Sequence, residues 1–148
     1  MSICSNKQAY HNYTILDTLE AGLVLAGPEV KSVKAGQINL KGSYINVKDA
    51  GQAYLTKAHI SPYKPASIVQ RNYDPYQDRK LLLNRKELKI IYGKAKEAGI
   101  TIVPLKVYLK HGLIKLEIGI ARGKKKYDKR EAIKKRDFEQ RKRREIKN

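Results

Sequence analysis

Trp is absent from this chain, Phe occurs once and Cys once, whereas Tyr occurs ten times. The single thiol, Cys4, excludes an internal disulfide and any zinc site built on paired cysteines, and it fits a reducing compartment. Acidic residues are scarce too, with 14 Asp and Glu against 32 Lys and Arg, a formal charge of +18. No apolar run is long enough to cross a bilayer as a helix. The opening Met1-Ser2-Ile3-Cys4-Ser5 has no apolar signal core, and no lipidation motif closes the other end. A cytoplasmic protein without a membrane partner is expected. An aromatic set biased to Tyr supplies rings that pack while their hydroxyls find hydrogen bonds at the surface.

What is abundant is basic charge, and its distribution is uneven. Arg122 to Asn148 holds 14 basic and 5 acidic residues, so +9 of the +18 lies in 27 residues. The remaining +9 is spread over the first 121. A basic body joined to a basic arm is the electrostatic footprint of a polyphosphate binder; the plainer alternative for the arm alone is a solubilising terminus. Chain length and 41% apolar content permit one domain with its own core.

Ser5 to Asn12 reads as polar and irregular. Tyr13 to Asp17 begins a first strand, and Gly22-Leu23-Val24-Leu25-Ala26 continues it as a buried run. Gly27-Pro28 opens a short helix, with Pro suited to its first position. Val30 and Val33 share its buried face, and Gly36 ends it. Ser43 to Lys48 and Gln52 to Leu55 form a hairpin around Asp49-Ala50-Gly51, with Ile45 and Val47 on one side. Thr56 to Lys80, carrying Pro62, Pro65 and Pro75 with Tyr63, Tyr73 and Tyr76, is a long connection of the kind that is often functional. Asn84, followed three residues later by Glu87, caps a helix whose stripe is Leu88, Ile91, Tyr92 and Ala95, stopping at Gly99. In the last hairpin a two-residue turn at His111-Gly112 sets Leu109 opposite Ile114, Val107 opposite Leu116, Leu105 opposite Ile118 and Val103 opposite Ile120. The same register puts Lys106 against Glu117 on the other face.

These elements predict a mainly β fold: a small closed OB-like antiparallel barrel over residues 1–122, with two to three short helices, and a basic tail over 123–148. Within the tail, Glu131 precedes Lys135, Asp137 precedes Arg141 and Glu139 precedes Arg143 at helical spacing. Each pair contributes only about 0.2–0.5 kcal/mol, and no continuous apolar face supports them. A tail disordered when free and helical against RNA is expected.

No enzyme chemistry is legible. Gly119 to Lys125 resembles a phosphate loop superficially, but its spacing is one short and no Ser or Thr follows the Lys. His11, His59 and His111 lack paired metal-ligand spacing, and no nucleophile–base arrangement can be argued. No cofactor is expected.

Several segments together resemble the SsrA-binding proteins, the small protein B family of bacterial trans-translation. They are Glu20-Ala21-Gly22 with Gly27-Pro28-Glu29-Val30-Lys31-Ser32 and Ala35-Gly36; His59-Ile60-Ser61-Pro62-Tyr63; Asp74-Pro75 with Arg79-Lys80-Leu81-Leu82-Leu83-Asn84; Val103-Pro104-Leu105; and Gly123 to Arg130. The resemblance implies an OB-like barrel that binds the tRNA-like domain of transfer-messenger RNA and enters a ribosome stalled on a message without a stop codon. It implies a tail lying in the vacant message channel, and elongation factor Tu and alanyl-tRNA synthetase as proteins acting on the same RNA. A monomer that is not an enzyme is expected. The alternative is a structural ribosomal protein whose basic tail is buried in rRNA.

By the same resemblance Glu20, Leu82 and Asn84 match positions tied to RNA binding, and Gly123, Asp128, Lys129 and Arg130 match positions needed on the ribosome. Lys7, His11, Lys31 and Lys80 join the first group as candidate RNA contacts of the body, and Lys124, Lys125, Tyr127, Lys134 and Lys135 join the second. Each of the first three has a rival reading. Asn84 is also an N-cap, Leu82 is on general grounds a core residue, and Glu20 on a basic surface orients a cation or accepts from a base or 2′-hydroxyl. Tyr127 stacks on a ribosomal base or packs where the tail leaves the barrel. One departure stands out: the family commonly has Arg-Ala-Arg-His where this chain reads Gln8-Ala9-Tyr10-His11, so phosphate contacts from that segment are in doubt.

Overall fold

Helix boundaries in the computed structural model, which describes residues 2–49, 51–63 and 72–124, follow from local chemistry. In α1 (Lys7–Asn12) the Asn6 side chain accepts from the Ala9 N–H. Pro28 sits in the first turn of α2 (Gly27–Lys34), and the Glu29 carboxylate accepts from the Ala26 N–H. The helix ends at Gly36, whose φ of +81° lies where a Cβ would be strained. The N-terminus of α3 (Arg85–Ala95) carries the expected reciprocal cap: Asn84 Oδ1 accepts from Glu87 N–H at 2.8 Å, and Asn84 N–H donates to Glu87 Oε1 at 3.2 Å. Leu88 and Ile91 are buried as predicted, but Ala95 is exposed, so the apolar stripe is shorter than its spacing promised.

Nine strands accompany the helices among the described residues: β1 (Ser2–Ser5), β2 (Tyr13–Leu23), β3 (Ile38–Asn39), β4 (Tyr44–Asp49), β5 (Gln52–Thr56), β6 (His59–Ile60), β7 (Arg79–Leu82), β8 (Ile100–Lys110) and β9 (Leu113–Gly123). Seven form one antiparallel sheet in the order β1-β8-β9-β2-β7-β5-β4, and β3 pairs with β6. The expected closed barrel is corrected here. The sheet curls enough to bring β4 against β8, yet no ladder joins β4 to β1, so it stays open. Closure requires hydrogen bonds between the two edge strands, and these edges do not meet. Among the described residues the fold is mainly β with three helices. The helix α1 lies where Ser5 to Asn12 reads as irregular, β1 precedes it in a stretch with no strand signal, and the run from Val24 to Ala26 leaves the sheet, with Val24 exposed.

The last hairpin follows its expected register at the turn end and departs from it further on. His111 and Gly112 both have positive φ, as a tight two-residue turn requires. Leu109 pairs with Ile114, Val107 with Leu116 and Lys106 with Glu117. A bulge at Leu105 then shifts the pairing, so that Ile118 faces Pro104, Ile120 faces Ile102, and Val103 faces Gly119. Pro104 cannot donate to a ladder, and inside a sheet it belongs at an edge or a bulge. The consequence is two cores. Ile102, Val107, Leu116, Ile118 and Ile120 face the main one, while Val103, Leu105 and Ala121 face the opposite side, where Ala9 of α1 packs with Tyr13 and Ile15.

Candidate RNA-binding surface

Strand parity and pairing decide which side chains share the outer sheet face. Gly22 of β2 pairs with Leu82 of β7 and with Lys115 of β9, and Lys115 pairs with Tyr108 of β8. Two residues back along each strand, Glu20 pairs with Glu117, which pairs with Lys106. Alternation therefore places Glu20, Leu82, Lys80, Lys106, Tyr108, Lys110, Lys115 and Glu117 on one face. Glu20 and Glu117 stand directly opposite, an unfavourable like-charge pair. It is relieved sideways. Lys106 approaches Glu117 at 3.5 Å, Lys110 approaches Glu20 at 3.4 Å, and the Tyr108 hydroxyl donates to Glu20 Oε2 in a short hydrogen bond. That hydrogen bond is the largest influence, desolvation opposes it, and Lys110 and Lys115 add to it, so that the Glu20 carboxyl is held below its usual range. Burial, then the bond to Glu20, push the Tyr108 phenol well up.

Leu82 is 58% exposed, which overturns its reading as a core residue, and its Cβ lies 3.2 Å from where a Cβ on Gly22 would stand. Gly22 leaves the room in which Leu82 lies over β2. At this end of the face a groove of about 210 Å³ opens between Gly22, Leu82, Leu113, Ile114 and Lys115. Leu113, at the tip of the β8–β9 hairpin, is 60% exposed. Two exposed leucines beside four lysines and two carboxylates form an amphipathic surface. Asn84 follows two residues beyond Leu82, exposed at the start of α3. Its Oδ1 is committed to the cap, while its amide nitrogen carries two further donors, so cap and RNA contact are compatible.

The remaining predicted residues divide into two groups. Lys31, on α2, holds its ammonium 5.5 Å from the centre of the Tyr63 ring, a cation–π contact, and follows Val30, which lines the groove at Leu82. Lys7 and His11 lie exposed on α1 at the other end of β2. Seven strand residues, roughly 20 Å, separate Tyr13 from Glu20. At that end Gly123 pairs with Tyr13, and Lys124 N–H donates to the Asn12 carbonyl at 3.0 Å. Lys7 and His11 thus stand beside the root of the tail rather than beside Glu20. The predicted tail residues Lys125, Tyr127, Asp128, Lys129, Arg130, Lys134 and Lys135 lie outside the described residues.

Sequence reasoning missed Tyr108, Lys110, Lys115 and Leu113. The hairpin register, which already placed Lys106 against Glu117, was the signal that puts their face beside those two residues. It also missed the polar hub beneath the surface. Arg79, 2% exposed, reaches Glu29, 3% exposed, at 2.7 Å through Nη2 and 3.0 Å through Nε. It donates as well to the carbonyls of Ala58 and Pro75. Tyr73 hydroxyl and Gln77 Nε2 donate to the same carboxylate at 2.8 and 3.1 Å. Burial pushes the Glu29 carboxyl up, and the bonds from Arg79, Tyr73, Gln77 and the Ala26 N–H outweigh it and hold the group below its ordinary value. The hub ties α2 to β7 and so fixes the strand that presents Lys80 and Leu82.

Among the described residues no cluster of His, Cys, Asp and Glu is arranged to hold a metal, and no helix is long and apolar enough to cross a membrane. The fold and this face define a class: a β-sheet protein with a basic, partly apolar surface of the type that binds RNA. The SmpB protein family model matches residues 3–148. The chain is 53% identical to the SsrA-binding protein of Persephonella marina over 92% of its length and 88% of that protein. It is 48% identical to the SsrA-binding protein of Enterococcus faecalis over 99% and 93%. A solved chain described under "tmRNA-SmpB: a journey to the center of the bacterial ribosome" superposes with a TM-score of 0.68 at 43% identity, covering 88% of this chain and 93% of that one. The chain belongs to the SmpB family of SsrA-binding proteins.

Proposed function

We propose that this protein is a non-catalytic adaptor that binds the tRNA-like domain of transfer-messenger RNA and delivers it to stalled ribosomes for trans-translation. The observation that carries the reading is the gathering of Glu20 and Leu82, with Lys80, Lys110 and Lys115, on one sheet face, with Asn84 exposed two residues beyond Leu82. Lysines neutralise phosphates and set orientation, while a carboxylate and exposed apolar side chains suit unpaired bases rather than the backbone. The open curled sheet acts as an OB-like platform for residues 1–122. Residues 123–148 supply the arm for the ribosome, entering the vacant message channel from a root beside Gly123. Lys7 and His11, next to that root, are contacts for the ribosomal end of the complex or for RNA near it. In the cytoplasm, elongation factor Tu and alanyl-tRNA synthetase act on the same RNA.

A gel shift at about 150 mM salt, where non-specific binding is weakened, tests the reading. Transfer-messenger RNA is expected to bind far more tightly than a control RNA of equal length. Equal affinity for the two would overturn the adaptor.

A further inference from the structure

Glu20 is an anion on a face whose other charges are mainly positive, so its carboxylate needs a reason to stand where RNA approaches. Held by the flexible Lys110 ammonium alone, it would vary in orientation with that side chain, and Tyr108 adds a rigid second anchor. It stands on β8, two strands from β2 with β9 between, and its rigid ring spans that gap to donate its hydroxyl to Glu20 Oε2. Lys110 approaches both oxygens, at 3.5 and 3.4 Å. A carboxylate offers about four lone-pair positions, and Tyr108 takes one. The long contacts of the exposed Lys110 ammonium are ones a base with two donors displaces, which frees a lone pair on each oxygen. The groove between Leu82, Leu113 and Lys115 opens at Gly22, two residues along β2 from Glu20.

We infer that Tyr108 is a positioning residue of the RNA interface, aiming the Glu20 carboxylate so that it accepts from the N–H edge of an unpaired base lying against Leu82. This inference rests on the RNA-binding reading. Of the four bases, guanine presents two adjacent donors, N1–H and the 2-amino group, which a carboxylate can accept together; cytosine and adenine present one exocyclic amine each. An unpaired guanine is therefore the base this arrangement fits best. The phenol contributes through its hydroxyl alone, which distinguishes it from a ring that stacks on RNA.

The test is a double-mutant cycle on the intact protein with the tRNA-like domain of transfer-messenger RNA, accompanied by NMR titration of the Glu20 carboxyl in the free protein. Tyr108→Phe keeps the ring and removes the hydroxyl. It is expected to weaken binding roughly fivefold, a modest loss because the hydrogen bond is exposed. In a Glu20→Ala background the same change is expected to cost nothing further. Replacing unpaired guanines by inosine, which lacks the 2-amino group, is expected to weaken binding to the unmodified protein but not to Glu20→Ala. In the free protein, Tyr108→Phe should move the Glu20 titration upward, because the largest influence lowering it is gone. Costs that add across the cycle, an unchanged affinity in Tyr108→Phe, or an inosine effect that persists without Glu20 would each overturn the inference. If the unmodified protein failed to select this RNA, the RNA-binding reading would fail by itself. An unshifted Glu20 titration in Tyr108→Phe would show that the hydroxyl does not hold the carboxylate, whatever the RNA result.

Discussion

Glu29 and Arg79 show how a few side chains 50 positions apart can decide whether an interface exists. Both are almost fully buried, and every polar group around them has a partner among Tyr73, Gln77 and nearby backbone atoms. A satisfied buried pair adds little net stability, but removing one partner strands the other charge at a cost of about 3–5 kcal/mol. Glu29→Gln is expected to destabilise the fold by about 3 kcal/mol, measured by denaturant unfolding near neutral pH. The pH dependence has a definite sign. The carboxyl is depressed below its ordinary 4.5, so its contribution is complete above that value and is lost as pH falls through the folded-state pKa. Tyr73 is pushed up to about 12 by burial and then by Glu29, with Arg79 opposing. Its contribution is present below the usual tyrosine value of 10 and lost as pH rises through about 12. Acid unfolding of Glu29→Gln should therefore be shallower than that of the unmodified protein below pH 4.5; an identical slope would show that Glu29 is not the group titrating. None of this was legible in the sequence, because neither periodicity nor spacing couples residue 29 to residue 79.

At the scale of elements, what the sequence showed and what it hid have separate causes. Local signals were reliable: the Asn84–Glu87 cap, the Gly36 stop, the pairing of β4 with β5 and the His111-Gly112 turn all form as the residues predict. Pairings that depend on distant strands were not legible. β1 has four residues and α1 six, and α1 buries only Ala9, so neither carries enough periodicity to announce itself. The Leu105 bulge was signalled by Pro104, but alternation of Val103, Leu105 and Val107 argued more loudly for an unbroken strand. Leu82 sits among three consecutive leucines, where alternation cannot say which faces out. The bulge sets up a packing test. A Cβ on Gly119 would lie 2.9 Å from Leu105 Cδ1 and 3.4 Å from Ile15 Cγ2, and Leu105 is fully buried and cannot swing away. Gly119→Ala is expected to destabilise by about 1–3 kcal/mol, read by thermal or denaturant unfolding. A neutral effect would mean that α1 lifts easily from the sheet. Asn84→Ala should cost about 1 kcal/mol from the lost cap and should also weaken RNA binding at temperatures where the protein remains folded. Binding that stays unchanged there would leave the cap as its whole role.

Across the whole molecule the basic charge is divided between a sheet face and an arm. The body presents one amphipathic face, around Glu20 and Leu82, and roots the tail at the far end of the same two strands, β2 and β9. Two destinations served from opposite ends of one rigid sheet need not compete, and the chain can hold its RNA while the arm engages something else. Lys129 to Asn148 contains ten basic and four acidic residues, a net of +6 from the total of +18. If the arm lay along transfer-messenger RNA, deleting these residues would remove phosphate contacts and flatten the salt dependence of binding, since each neutralised phosphate contributes nearly one unit to the slope of log affinity on log salt. If the arm serves the ribosome, the slope should stay close to that of the full chain. The second outcome is expected, together with loss of tagging of proteins made on truncated messages. Affinity for transfer-messenger RNA measured from about 50 to 200 mM salt, for the full chain and for the protein ending at Asp128, separates the two. A slope that falls by several units with the deletion would show that the body and the arm share one RNA, and the division of labour drawn from the sheet would be wrong.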